Sequence, residues 1–338
     1  MKKFPQVDVS SKKLHDMILT PIYSKILLAG IELNLFSHLI EPINSETIAE
    51  MLDLHRDNTK HLLDSLVSVD LLEKKDGMYR NTDITNTFLV KGSELYLGKF
   101  FRDCSEICRY EELDIVRLVK EGPEKSSQKD TNSGVQQGDY SSMMVNYQRA
   151  GSAQQTATYV SKLPEFKNFN KMLDLGGGPG LLAMAIINEH PDMKGIIFDT
   201  PSTIKVASEL IKEYELEDRI EVLGGDYMKD SIGKDYDFIL ASGTLNFAKN
   251  SLDSIIIKVY NALSPGGVFM CISDGLTDES TKPEEIALRQ LPTRLMGCNM
   301  SFEQGVISDS MLRSGFKSVF KQTIQKDIGT MDVDIARK

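Results

Sequence analysis

A short apolar strand that runs into consecutive glycines and then into an apolar helix restricts a chain to very few folds. Here that stretch is Lys171 to Gly180, KMLDLGGGPG, in which Met172, Leu173 and Leu175 lead into Gly176, Gly177, Gly178 and Gly180. Leu181 to Ile187 then forms a continuous apolar run that reads as a helix. Glycines let the backbone turn with φ > 0 and pass close to a ligand where a Cβ would intrude. The helix behind them offers unpaired N–H groups at its positive end. The combination predicts a cradle for a nucleotide-like molecule at the carboxyl edge of a parallel sheet. The loop alone leaves the ligand open, because Gly178, Gly180 and Ala183 also meet the dinucleotide spacing.

The 338 residues are many for one core, so two domains are expected. In the first, Leu14, Met17, Ile18, Ile22, Ile26, Leu27 and Ile31 recur at helical spacing within residues 11–40. Asn44-Ser45-Glu46-Thr47 starts a short helix, and a second follows from about Asp57 with Leu62, Leu63, Leu66 and Val69. The next run, LLEKKDGMYRNT, reads as a hairpin around a type I′ turn at Asp76-Gly77. Helix, turn, helix and hairpin make a winged helix. Its second helix mixes Arg56 and Lys60 with Asp57 and Asp64, so it lacks the basic face that phosphate contacts demand. A protein-contact role is expected instead.

Helical material resumes around Tyr96 to Val119, Glu121 to Ser142 reads as a polar linker, and one helix is expected from Met143 to Leu163. From a boundary near Lys167, strands and helices alternate. Strands are expected at Lys171–Leu175, Gly195–Asp199, Ile220–Leu223, Tyr236–Ala241 and Val268–Ser273, with two more, Ser318–Ile324 and Met331–Ala336, meeting at Gly329. The reading is therefore α/β, with residues 1–120 a helical winged-helix part, 121–166 a linker and connecting helix, and 167–338 the ligand-binding domain.

Net charge is −10, which weighs against nucleic acid or an anionic membrane as the main partner and tolerates a cationic ligand. The start, MKKFPQVDVSSKK, has no apolar h-region, and no apolar run approaches ~18 residues, so neither a secretory signal nor a membrane span is expected. Cys104, Cys108, Cys271 and Cys298 form no CxxC pair and suit a reducing cytoplasm. No His, Cys and carboxylate set stands at ligand spacing, so no metal is expected.

Four features follow the glycine loop in sheet order. Asp199 ends the second strand at a distance suited to a ribose diol. Gly224-Gly225-Asp226-Tyr227-Met228 closes the third strand with an acid beside an aromatic and a thioether, a set able to recognise and cover an adenine. Tyr236 to Leu240 is a buried strand ending at Ala241-Ser242-Gly243, and ALSPGGVFMCISD joins a helix end to a strand through Pro265-Gly266-Gly267. This set resembles the S-adenosylmethionine-dependent methyltransferases. With the winged helix in front, it resembles the plant-type and hydroxyindole O-methyltransferases, from about Leu14 to the last strand. The resemblance implies a Rossmann-like class I sheet, a homodimer exchanging N-terminal helices, and S-adenosylmethionine as cofactor. It places the donor against Asp174, Gly176, Gly178, Gly180 and Ser242, its ribose on Asp199, and its adenine near Gly225, Asp226 and Tyr227. It also implies that Met143, Met144, Tyr147 and Arg149, on the helix before the domain, are candidates for donor and substrate contacts, and that Asn246 and Met296 lie near a small-molecule acceptor. Helix packing remains the plain alternative for residues 143–149, and strand-end capping for Asp199 and Asp226.

One element of the family pattern is missing. Members of this family place a histidine just after the fourth strand to deprotonate the acceptor hydroxyl, whereas this chain reads Thr244-Leu245-Asn246-Phe247-Ala248, and its last histidine is His190. The acids nearest to the usual orienting carboxylates are Asp274, Asp278 and Glu303. Ionising a phenol of pKa ~10 at pH 7 costs ~4 kcal/mol, and a thiol near 8.5 only ~2. An acidic hydroxyl, a thiol or an activated carbon is the acceptor expected here; otherwise Asp274, Tyr147 or a lysine such as Lys249 is recruited as the base, with Asn246 only hydrogen-bonding the substrate. The alternatives are a donor-binding member that catalyses another reaction and a donor-sensing winged-helix regulator.

Overall fold

The computed structural model describes residues 4–108, 112–123 and 137–338. Residues 124–136 of the expected linker therefore lie outside the described residues, as does the side chain of Cys108. The chain forms two compact units, Met1–Arg102 and Asp103–Lys338.

The first unit opens with α1 (Lys12–Glu32), which continues through Pro21. It is shorter than the 11–40 expected, because Asn34 takes a left-handed conformation (φ 55°) and the chain turns into a short 3₁₀ segment, Leu35–His38. Leu14, Met17, Ile18 and Ile22 are exposed along α1. Two helices follow, α2 (Ser45–Met51) and α3 (Arg56–Ser68). The Asn44 carboxamide caps α2 by accepting from the Thr47 N–H at 2.8 Å. β2 (Leu72–Lys75) and β3 (Met78–Asn81) form the hairpin, with φ of 52° at Asp76 and 80° at Gly77, the two positive values a type I′ turn needs. A third strand that the sequence did not announce, β1 (Ile43–Asn44), pairs with β3. Leu35, Phe36, Leu39, Ile48, Leu63 and Leu66 are fully buried beneath this wing. On α3 the cations are engaged by acids, Arg56 with Glu50 at 2.7 Å and Lys60 with Asp64 at 2.9 Å. α4 (Asp83–Phe88) and α5 (Gly98–Cys108) complete this part of the chain.

In the second unit, α6 (Ile115–Glu121) and α7 (Gln137–Tyr147) precede a break at residues 148–152. Gly151, at φ 126°, interrupts the single helix expected over Met143–Leu163 and separates α7 from α8 (Ala153–Val160). The parallel strands are β4 (Lys171–Leu175), β5 (Lys194–Asp199), β6 (Ile220–Gly224), β7 (Tyr236–Ser242) and β8 (Leu263–Ser273). Helices α9 (Leu181–Asn188), α10 (Thr203–Glu213) and α11 (Leu252–Ala262) connect them. Beyond β8 lie β9 (Gly275–Leu276), α12 (Glu284–Arg289), α13 (Leu291–Leu295), β10 (Phe302–Glu303) and α14 (Val306–Arg313). The chain closes with a hairpin of β11 (Ser318–Lys326) and β12 (Gly329–Arg337).

The seven-stranded order is β6-β5-β4-β7-β8-β12-β11, in which β12 alone runs antiparallel to the other strands. Period-2 alternation sorts β4 between two cores. Met172 faces the layer with α8 and α9, and Leu173 and Leu175 face the layer with α11. Ala153, Ala157 and Val160 of α8 pack into the same core as α9, so the sequence boundary near Lys167 falls inside this unit. No helix among the described residues is long and apolar enough to cross a membrane.

Candidate active site

The winding of the sheet starts at β4, moves out to β5 and β6, and then returns to β7 and β8. The ends of β4, β5 and β7 therefore flank a topological switch point, where open α/β sheets take their ligands. After Leu175 the backbone is left-handed at Gly176 (φ 67°), Gly178 (φ 59°) and Gly180 (φ 81°). A Cβ on Gly176 would meet Thr244 Oγ1 at 2.0 Å, and one on Gly180 would meet Ile197 Cδ1 at 2.4 Å, so both positions are closed to side chains twice over. Gly178 differs, for nothing lies within 4 Å of where its Cβ would be. The loop thus presents bare peptide to open space at one point and is locked on either side of it.

Asp199 ends β5 and reaches back to that point. Its Oδ2 accepts from the Gly178 N–H at 2.9 Å and its Oδ1 from the Thr200 N–H at 2.7 Å. Each carboxylate oxygen keeps a lone pair for a further donor. The Gly225 N–H donates to the Asp199 carbonyl at 2.9 Å, which holds the end of β6 alongside. Tyr227 donates its hydroxyl to the Thr244 carbonyl at 2.9 Å, tying the loop after β6 to the loop after β7, where Ser242 sits. Gly176, Gly178, Gly180, Asp199, Gly225, Tyr227 and Ser242 are thereby brought to one edge. Asp226 is at the same loop but half-buried, with Oδ2 on Lys229 at 2.9 Å and Oδ1 accepting from the Met228 N–H at 3.0 Å. The Lys229 ammonium, helped by that amide, holds the Asp226 carboxyl below the usual carboxylate range.

Asp174 lies under the loop, fully buried, on the same side of β4 as Met172. Neither of its oxygens makes a hydrogen bond of full geometry, and the Ala183 N–H is the one donor that faces it and opposes the loss of charge. Burial pushes its carboxyl up to about 7, and the neighbouring Asp199 charge acts in the same direction.

On the acceptor side, Asn246 donates its Nδ2 to the Met300 carbonyl at 3.0 Å, while its buried Oδ1 has no partner. Lys249 donates to the Ser301 carbonyl. Burial lowers the Lys249 ammonium pKa, and the Arg294 charge adds to the effect. Asp274 accepts from Gln290 Nε2 at 2.7 Å, linking the end of β8 to α12 and α13. Tyr147 is buried and bonded to Ser152, and burial pushes its phenol up. Met143 packs against Cys104, with the sulfurs 3.9 Å apart. Met296 is exposed at the end of α13. Arg149, expected at the acceptor, is instead paired with Glu213 of α10 at 2.8 Å and lies over the Tyr214 ring. His190 is structural, its Nδ1 accepting from the Met193 N–H at 3.0 Å while its ring meets Phe166 edge-on. Sequence reasoning missed Thr244, Gln290 and Ser301, which act through backbone carbonyls, packing or a single amide and leave no motif.

The O-methyltransferase domain profile matches residues 139–304, and the O-methyltransferase dimerisation domain profile matches residues 16–91. An uncharacterized protein of Methanocaldococcus jannaschii is 32% identical over 260 residues, which cover 74% of this chain and 67% of that protein. The N,N-dimethyltransferase OxyT of Streptomyces rimosus is 26% identical, with 79% of each chain covered. Among solved structures, human N-acetylserotonin methyltransferase in complex with SAM superposes with a TM-score of 0.79 at 21% identity, covering 99% of both chains.

Proposed function

Because this chain belongs to the O-methyltransferase family and is an S-adenosylmethionine-dependent methyltransferase, we propose that it methylates a small-molecule acceptor without a histidine base. The cradle fits that donor: the open space at Gly178 admits it, and the spare lone pairs of Asp199 suit a ribose diol. Gly176 and Gly180 keep the loop close, and Asp226 and Tyr227 are the groups at hand for the adenine. The donor supplies an electrophilic methyl on a sulfonium. What the chain contributes is position, which for an in-line displacement is a large share of the acceleration.

The observation that carries this reading is the buried, unpartnered Oδ1 of Asn246. A carboxamide takes no proton near neutral pH, so Asn246 Oδ1 accepts from a hydroxyl or N–H of the acceptor other than the reacting atom and orients it. Its own N–H₂ is held by the Met300 carbonyl, which fixes the oxygen's direction. The acceptor must then arrive acidic or soft. Incubating the protein with labelled donor and acceptors graded in pKa is expected to give transfer to thiols and acidic hydroxyls, with the rate rising as the acceptor ionises. Turnover of an acceptor with no consumption of donor would replace this reading with a non-transferring reaction. Asn246→Ala is expected to lower turnover roughly tenfold to a hundredfold, the worth of one buried hydrogen bond, with donor affinity unchanged. Equal losses in donor binding would move Asn246 out of the acceptor site.

Met17, Ile18 and Ile22 of the exposed apolar stripe on α1 lie within the stretch that matches the dimerisation profile. A stripe of that kind on a lone chain is a liability. Light scattering at micromolar concentration is expected to give the mass of a homodimer, and a monomer would contradict it.

A further inference from the structure

Lys326 ends β11 with its side chain only 7% exposed, a rare place for an ammonium group. Its Nζ donates to Thr156 Oγ1 at 2.9 Å and lies 3.5 Å from Ser152 Oγ. Thr156 Oγ1 spends its own proton on the Ser152 carbonyl at 2.8 Å, so it can only accept from the lysine. No carboxylate among the described residues is bonded to Nζ. An ammonium has three donors, and hydroxyls are weak company for a buried charge. Beside it, between α8 and the sheet, lies a cavity of about 170 Å³. Met270, Ile272 and Ile324 form its apolar wall, Tyr159 lines it with its hydroxyl donated to Gln322 and its phenol pushed up by burial, and the exposed Gln155 and Gln325 stand at its mouth. The cavity shares no residue with the donor cradle.

We propose that this cavity binds a small monocarboxylate with a short apolar tail, the carboxylate pairing with Lys326 and the tail lying against Met270, Ile272 and Ile324. Each part of the pocket selects for one part of such a ligand. A charge-assisted hydrogen bond from the third N–H gives the buried ammonium the counter-charge it lacks. An apolar void of about 150 Å³ accommodates a benzene ring, so this one suits a branched aliphatic or single-ring acid and excludes larger molecules. A neutral or cationic ligand of the same shape would leave the ammonium uncompensated. Burial pushes Lys326 down to about 8, with the Asp327 charge opposing the fall. The site is therefore charged at neutral pH and loses its charge in mild alkali.

The test is titration calorimetry on the full chain with butyrate and benzoate, beside butyramide, benzamide and butylamine, at pH 6.5 and 9.5. The acids are expected to bind at least tenfold more tightly than their amides at pH 6.5, and butylamine not at all. At pH 9.5 acid binding is expected to weaken roughly thirtyfold, following the loss of the ammonium over about 1.5 units. Lys326→Met should abolish the preference for acids while leaving S-adenosylhomocysteine affinity unchanged, which separates this site from the donor cradle. Should that variant not fold, Ile324→Phe fills the void from the edge strand and is expected to block the acids equally. Equal binding of acid and amide, acid binding that survives Lys326→Met or Ile324→Phe, or no heat from any acid into the millimolar range would each overturn the proposal.

Discussion

Asp199→Ala is expected to weaken binding of both S-adenosylmethionine and S-adenosylhomocysteine by roughly two to four orders of magnitude. The magnitude follows from two hydroxyl hydrogen bonds to one charged carboxylate, each worth about 1.5–3 kcal/mol once the site excludes water. A second loss adds to the first. The same carboxylate holds the Gly178 N–H at 2.9 Å, and this is the residue whose open side admits the ligand. Without it, a left-handed glycine is left with one fewer restraint, and the donor must order it. Asp199→Asn separates the two effects, because its oxygen still accepts from Gly178 while the charge is gone; an intermediate loss is expected. Calorimetry with both ligands is the measurement. Normal affinity in Asp199→Ala would mean that the ribose lies elsewhere.

The parts of this molecule that the sequence foretold are those dictated by local chemistry. The glycine run, the apolar strands and the Asp76-Gly77 turn each need particular residue types, and each element formed within a few residues of its expected bounds. The position of Asp199 was legible for the same reason, since a strand end followed by a helix has one carboxylate to offer. The break at Gly151 was not legible, because a glycine inside a helical pattern is tolerated more often than it terminates a helix. The side-chain partners of Arg149 and Asp226 were equally hidden, since Glu213 and Lys229 are merely two of many surface charges until the fold brings them close. Lys326 is the extreme case. In the run KQTIQKDIG it reads as one more exposed lysine on an edge strand, and only the packing of α8 over β11 buries it.

Asp174 gives the largest effect of pH. Its carboxyl titrates at about 7 in the folded chain against 3.8 for the ordinary group. A raised carboxyl value has a definite sign. The unfolded chain releases the proton above about pH 4 while the folded chain still holds it, so folding stability falls between those two values and levels off beyond about pH 7. At 1.36 kcal/mol per unit the loss is about 4 kcal/mol. Asp174→Asn removes the titration and is expected to flatten this segment of the stability profile, raising the midpoint of thermal unfolding at pH 8.5 by on the order of 10 °C while changing it little at pH 4. Donor binding carries the opposite sign. A sulfonium in the cradle favours the ionised carboxyl, so binding releases a proton below pH 7, and donor affinity is expected to climb as pH rises towards that value. In Asp174→Asn that climb should vanish. A variant whose stability and donor affinity both retain the wild-type pH dependence would show that Asp174 is ionised throughout, and that the buried acid beneath the glycine loop has a partner in solution.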